Sequence, residues 1–175
     1  VNKQVGNRPI EQLVRPFGAV ATDLDSGHRV LFQRGNTGQA VRASCSIPNV
    51  FQPVSIGGRR YVDGGLSSPV PVAAAREMGA DVVIAVDISA RAKYGKPEGF
   101  LSLLDQTVTI MGEKLLAEEL KQADVVIRPA VGKLGAADFA SRNVAIMEGE
   151  KAALQMLPLI RARIEAKTRA LAAAR

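Results

Sequence analysis

Residues 54–71 read VSIGGRRYVDGGLSSPVP, and the fold turns on how this stretch divides. Val54-Ser55-Ile56 and the segment Arg59 to Val62 flank Gly57-Gly58, the pattern of two strands closed by a two-residue hairpin turn. The second strand runs straight into Asp63-Gly64-Gly65. Such a tripeptide is commonly only a turn, because Asp and Gly both tolerate tight-turn backbone angles. It is also a place where a general base can be held at a strand end. Two glycines there let backbone approach closely without a Cβ in the way. The residues around it have to decide.

Upstream, GAVATDLDSGHRVLFQRG (residues 18–35) reads as two more strands, Ala19 to Leu24 and Val30 to Phe32, joined by a turn at Asp25-Ser26-Gly27. Residues 36–47 form a helical pattern, with Asn36 or Thr37 as the cap and Pro48 as the stop. Residues 1–16 are broken by Pro9 and Pro16, so any helix there is short. Downstream, Ser68-Pro69 predicts a helix entry with Ser68 as cap, and AAAREMG closes that helix on Gly79. The apolar run DVVIAVDI (81–88) is of the kind buried on both faces of a parallel sheet. A loop with Lys and Gly (90–99), a long helix from Phe100, a second apolar run after Asp124 and a helix from about Asn143, with Pro158 as a kink point, complete the chain. Buried strands alternating with long helices predict an α/β fold, one domain or part of one over 1–175.

Composition fits a globular chain: 47% hydrophobic and 23% charged residues in 175. No apolar run reaches the length of about 18 residues that a membrane span needs. The chain starts at Val1 rather than Met, as a processed, trimmed or partial product would. The net charge is +6, but the last fifteen residues, RARIEAKTRALAAAR, hold five cations and one Glu. That leaves +2 on the other 160, so the charge belongs to one helix end. Aromatics are 4% with no Trp, which argues against a stacking surface for nucleic acid. Weak attraction to an anionic lipid surface suits this tail better. The single cysteine, Cys45, forbids an internal disulfide, and one histidine without a cysteine cluster gives no support for zinc.

Several blocks in order carry a resemblance: GAVATDLDSG, VRASCSIPNVFQPV, GGRRYVDGG, SPVPVAAAREMGADVVIAVDIS and LLAEELKQADVVIRP. Together they resemble the second half of a bacterial patatin-like phospholipase over most of residues 10–130. The resemblance implies a patatin-like three-layer α/β sandwich around a mostly parallel sheet, present as the C-terminal portion of a single domain (1–175). It also implies a Ser-Asp dyad that hydrolyses phospholipid or other acyl esters without cofactor or metal. Asp63 of the Asp-Gly-Gly motif would be the base that takes the serine proton. A fully solvated Asp, with a reference pKa of about 3.9, would serve poorly there; burial beside the serine would raise its basicity.

One part of that pattern is missing. No Gly-x-Ser-x-Gly occurs in the 175 residues. The expectation is therefore a portion that supplies the Asp but lacks the nucleophile elbow and is inactive alone; the alternative is a non-catalytic fragment or degenerate binding module. Bared strand edges then predict self-association or pairing with a missing N-terminal half. Among local rivals, Gly65-Leu66-Ser67-Ser68-Pro69 approaches the elbow, with Pro69 where its last Gly belongs. Cys45 with His28 would make a thiol dyad, although Cys45 sits in a helical pattern and His28 in a turn. Asp87 ends an apolar strand as a ribose-binding carboxylate would, yet no Gly-x-Gly-x-x-Gly precedes it. Arg42 is read as a structural tie from its helix to neighbouring carboxylates or carbonyls. The cytoplasm is the expected compartment, with secretion or the envelope as alternatives.

Overall fold

The computed structural model describes residues 1–89, 99–132, 134 and 139–173. The chain divides into two compact units, Val1–Met78 and Gly79–Arg175. In the first, short 3-10 turns at Asn2–Val5 and Ile10–Gln12 precede β1 (Ala19–Asp23), β2 (Arg29–Phe32), α1 (Thr37–Ser44), β3 (Val54–Ile56), β4 (Arg59–Asp63) and α2 (Val72–Glu77). The four strands form one antiparallel sheet in the order β2-β1-β4-β3. β1 is buried along its whole length because it lies between β2 and β4.

The expected hairpins are both present. Gly57 and Gly58 take φ of 59° and 79°, the left-handed values that a two-residue turn demands and that residues with a Cβ resist. α1 begins as its sequence suggests, with the Asn36 side chain accepting a hydrogen bond from Gln39 N at 2.9 Å. It then lays Ala40 and Ala43 on the sheet, where small side chains allow close approach. Ala43 packs in a cluster with Ala21, Val54 and Tyr61, and the Phe32 ring meets Tyr61 edge-on at 5.0 Å.

Two helix boundaries differ from expectation. α1 stops at Ser44, before Pro48, because Ser46 Oγ bonds the Arg42 carbonyl and Cys45 N closes on Val41 and Arg42. α2 starts only at Val72, so Ser68 is not its cap. Prolines at 69 and 71 bias Ser68 and Val70 away from helical angles, and the helix can begin only after the second of them.

In the second unit, β5 (Ile84–Val86) pairs in parallel with β6 (Val125–Ile127) across the helix α3 (Phe100–Leu120). A 3-10 turn at Phe139–Ser141 leads into α4 (Arg142–Ala173), which runs through Pro158 and lies against β6. Val83, Ala85, Leu116 and Val125 are buried. The expected burial of the 81–88 run on both faces is not found. Ile84 is 40% exposed, Val86 50% and Ile88 68%, so only alternate residues face inward. The expected loop over 90–99 lies, except for residue 99, outside the described residues.

The fold thus mixes helices and strands, but among the described residues its sheets are not mostly parallel: three strand pairings are antiparallel and one is parallel. Short links return β2 beside β1 and β4 beside β3, whereas the parallel neighbours β5 and β6 need a long crossover, here α3; β1 and β4 meet across a longer stretch of chain.

Candidate functional site

Asp63 is the last residue of β4, half-buried, opposite Ala21 of β1. The strand pairing fixes its backbone, and the Ser46 carbonyl and the Thr22 hydroxyl hold it further. Asp63 N donates to the Ser46 carbonyl at 2.9 Å, just past α1. Thr22 Oγ1 donates to the Asp63 carbonyl at 2.9 Å from the opposing strand. Gly65 N donates to Asp63 Oδ1 at 2.7 Å and orients the carboxyl group. Among the described residues, Oδ2 has no hydrogen-bond partner. A carboxylate held at one oxygen and open at the other can accept a proton from a group brought to it.

The two glycines are required by what surrounds them. A Cβ at Gly64 would sit 2.3 Å from the Val20 carbonyl oxygen, and one at Gly65 would sit 3.1 Å from Asp63 Oδ1. Close backbone approach is therefore the reason for Gly64, whereas at Gly65 the nearest atom is the Asp63 side-chain oxygen.

Asp63 lies on the wall of a cleft of about 410 Å³. Phe17, Val20, Val41, Pro69 and Pro71 supply apolar lining, and Ser44 and Ser68 add hydroxyls. Such a cleft, apolar with few polar groups, suits a small or elongated apolar ligand carrying one reactive group.

The local rivals separate on geometry. Ser67 Oγ lies 2.8 Å from Thr22 Oγ1; with the Thr22 proton given to Asp63 O, Ser67 is the donor in that pair. Its hydroxyl is tied to Thr22 and not to the Asp63 carboxyl. Cys45 and His28 share no hydrogen bond among the described residues. His28 is exposed in the β1–β2 turn, as expected of a turn residue. Partial burial first, and the Asp63 carboxylate second, push the Cys45 thiol above its ordinary pKa, the reverse of what a thiolate nucleophile needs. Asp87 is buried, with Oδ2 3.2 Å from Arg128 Nε and Oδ1 accepting from Ser89 N at 3.1 Å. That carboxylate ties β5 to the end of β6. Arg42 departs from its expected structural role: among the described residues its guanidinium makes no hydrogen bond or ion pair.

Thr22 and Ser46 were not singled out by sequence. Thr22 reads as one more buried strand residue and Ser46 as a helix-end hydroxyl. Only the pairing of β1 with β4 and the turn after α1 bring them to Asp63. Among the described residues no cluster of His, Cys, Asp or Glu could hold a metal ion, and no helix is long and apolar enough to cross a membrane.

Residues 2–76 match the model of the patatin-like phospholipase family, nearly the extent of the first compact unit. An uncharacterized NTE family protein of Mycobacterium tuberculosis is 47% identical over 85 residues, which cover 49% of this chain and 24% of that protein. A second such protein of the same organism is 33% identical over 184 aligned positions, covering 87% of this chain and 31% of the relative. Patatin-like phospholipase domain-containing protein 7 of Mus musculus is 36% identical over 87 residues, 49% of this chain and 6% of its own length. The chain thus spans less than a third of each of these relatives.

Proposed function

We propose, for a chain that belongs to the patatin-like phospholipase family, that it forms part of a serine acyl hydrolase in which Asp63 is the proton acceptor. In this reading a serine hydroxyl from outside these 175 residues enters the cleft beside Asp63 Oδ2. Its proton passes to the carboxylate as the oxygen attacks the ester carbonyl of a phospholipid or related acyl ester. The tetrahedral intermediate collapses to an acyl-enzyme as Asp63 passes that proton to the leaving oxygen, which departs as the alcohol and leaves the carboxylate free again. Water, deprotonated in turn at Asp63, then frees the fatty acid.

The single observation that supports this reading is the half-buried Asp63 carboxyl. Its Oδ1 accepts from Gly65 N, its backbone is held by Thr22 and Ser46, its Oδ2 has no hydrogen-bond partner among the described residues, and Asp63 lines an apolar cleft. Residues 1–175 are then one portion of a single catalytic domain. Without the serine they are inactive by themselves and prone to pair with their own kind or with the rest of the domain.

The test is p-nitrophenyl butyrate hydrolysis by the full-length protein carrying this chain. Asp63→Asn keeps the shape and removes the base, and turnover should fall by about 10² to 10⁴. Near-normal turnover in that variant removes Asp63 from the mechanism. A full-length protein with no esterase activity favours the alternative, a binding module on a patatin-like frame.

A further inference from the structure

Thr22 carries the one hydroxyl of β1, whose other side chains are apolar or acidic, and it is 5% exposed. A valine would fill the same space and bury no hydroxyl, so the packing of β1 gives no reason for the oxygen. The reason lies in what that oxygen holds. Thr22 Oγ1 donates to the Asp63 carbonyl at 2.9 Å and accepts from Ser67 Oγ at 2.8 Å. Ser67 Oγ stands 3.5 Å from the Gly64 carbonyl, so its short bond is the one to Thr22.

These two bonds grip the two ends of one turn. The 3-10 turn Gly64–Leu66 begins after Asp63 and closes at Ser67. Within it, Ser67 N and Ser68 N donate to the Gly64 carbonyl at 3.0 and 2.8 Å, and Gly65 N donates to Asp63 Oδ1 at 2.7 Å. Gly64 rests against the Val20 carbonyl, two residues before Thr22 on β1. The turn therefore lies along β1, seated at Val20 and pinned at both ends to a single oxygen. The Gly65 N–H that orients the carboxyl sits between those pins.

We propose that Thr22 is a positioning residue for the Asp63 carboxyl, with Ser67 acting through it. The inference rests on the reading of Asp63 as proton acceptor and deepens it by naming what keeps that group in place. A base works only within hydrogen-bond reach of the proton it takes, and about 1 Å of misplacement can cost about 10²-fold in rate. Among the described residues the Asp63 carboxyl has one orienting bond, from Gly65 N. The place of that N–H thus sets the place of the base. Removing the Thr22 hydroxyl frees both ends of the turn at once, whereas removing the Ser67 hydroxyl frees only one.

The experiment uses full-length protein and p-nitrophenyl butyrate, below the temperature at which any variant unfolds. Thr22→Val should lower kcat by about tenfold or more and leave KM within about twofold. Thr22→Ser keeps the oxygen and should hold kcat within about threefold of the parent. Ser67→Ala should lower kcat by about threefold. Adding it to Thr22→Val should cost less than about a further twofold, because Ser67 reaches Asp63 through Thr22. A Thr22 that serves folding alone lowers the urea midpoint and leaves kcat of the folded protein within about twofold of the parent, which overturns the proposal. Losses that multiply in the double variant overturn it too. Where Thr22→Val does not fold, Ser67→Ala decides, and an unchanged kcat there overturns the proposal.

Amide hydrogen exchange over residues 61–71 of the same full-length proteins separates this inference from the hydrolase reading. Thr22→Val should speed exchange there by about tenfold, and Thr22→Ser should not. Faster exchange supports the clamp even if the parent cleaves no ester, in which case only the hydrolase reading falls. Unchanged exchange overturns the clamp whatever the rate of hydrolysis.

Discussion

A Cβ at Gly64 would press on the Val20 carbonyl oxygen, backbone against backbone, whereas one at Gly65 would meet only the movable Asp63 Oδ1. The two glycines should therefore respond differently to the same change. Gly64→Ala has to push β4 away from β1, and it should lower stability by about 1–3 kcal/mol, read as a lower urea midpoint. Gly65→Ala has to displace the carboxyl instead. It should leave the midpoint closer to that of the parent and, on the proposed function, cut ester hydrolysis by the full-length protein by about tenfold or more, since small misplacements of a catalytic group are costly. Equal loss of stability in both variants would mean the Asp63 carboxyl is held more rigidly than its one oriented oxygen suggests.

At the scale of elements, Asp23 shows how the sheet is fastened at its turn. Its buried carboxyl closes the β1–β2 connection, with Oδ1 accepting from Asp25 N at 3.1 Å and Ser26 N at 2.9 Å. Oδ2 lies 3.1 Å from Arg59 Nε of β4, an ion pair whose geometry does not make it a hydrogen bond. The Ser26 backbone N–H is the main cause that holds the Asp23 pKa below the ordinary carboxylate value, against the opposing effect of burial; the Ser26 hydroxyl, Arg59 and Asp25 N add to it. A carboxyl with a depressed folded-state pKa stabilises the fold above its unfolded value of about 3.9 and loses that contribution as pH falls through the folded value. Denaturant unfolding of the parent should therefore weaken steeply below about pH 4. Asp23→Asn should lower stability at neutral pH and flatten that acid limb. An unchanged slope in the variant would show that other carboxylates carry it.

For the whole molecule, the uncovered apolar surface is the dominant physical fact. Ile84 and Val86 leave one side of β5 in water, Ile88 just beyond it is 68% exposed, and Val108 and Met111 of α3 are 44% and 64% exposed. Soluble chains rarely leave such surface bare, because covering it releases about 25 cal/mol per Å². The 175 residues expressed alone should therefore scatter light as more than a monomer at high concentration, and co-expression with the rest of the parent protein should reduce that association. A clean monomer under both conditions would show that these faces need no cover.

The sequence by itself determined the local features. The Gly57-Gly58 hairpin, the Asp25–Gly27 turn, the Asn36 cap and the position of Asp63 at a strand end all follow from backbone preferences within a few residues. The ordered blocks around Asp63 placed the chain in its family. The tertiary structure alone decided which strands meet and that Thr22 and Ser46 back Asp63. The physical reason is range. A turn or cap is decided by φ, ψ and one nearby side chain, whereas a contact between residues twenty or forty positions apart depends on strand register and helix packing. Periodicity over a short window carries no record of either.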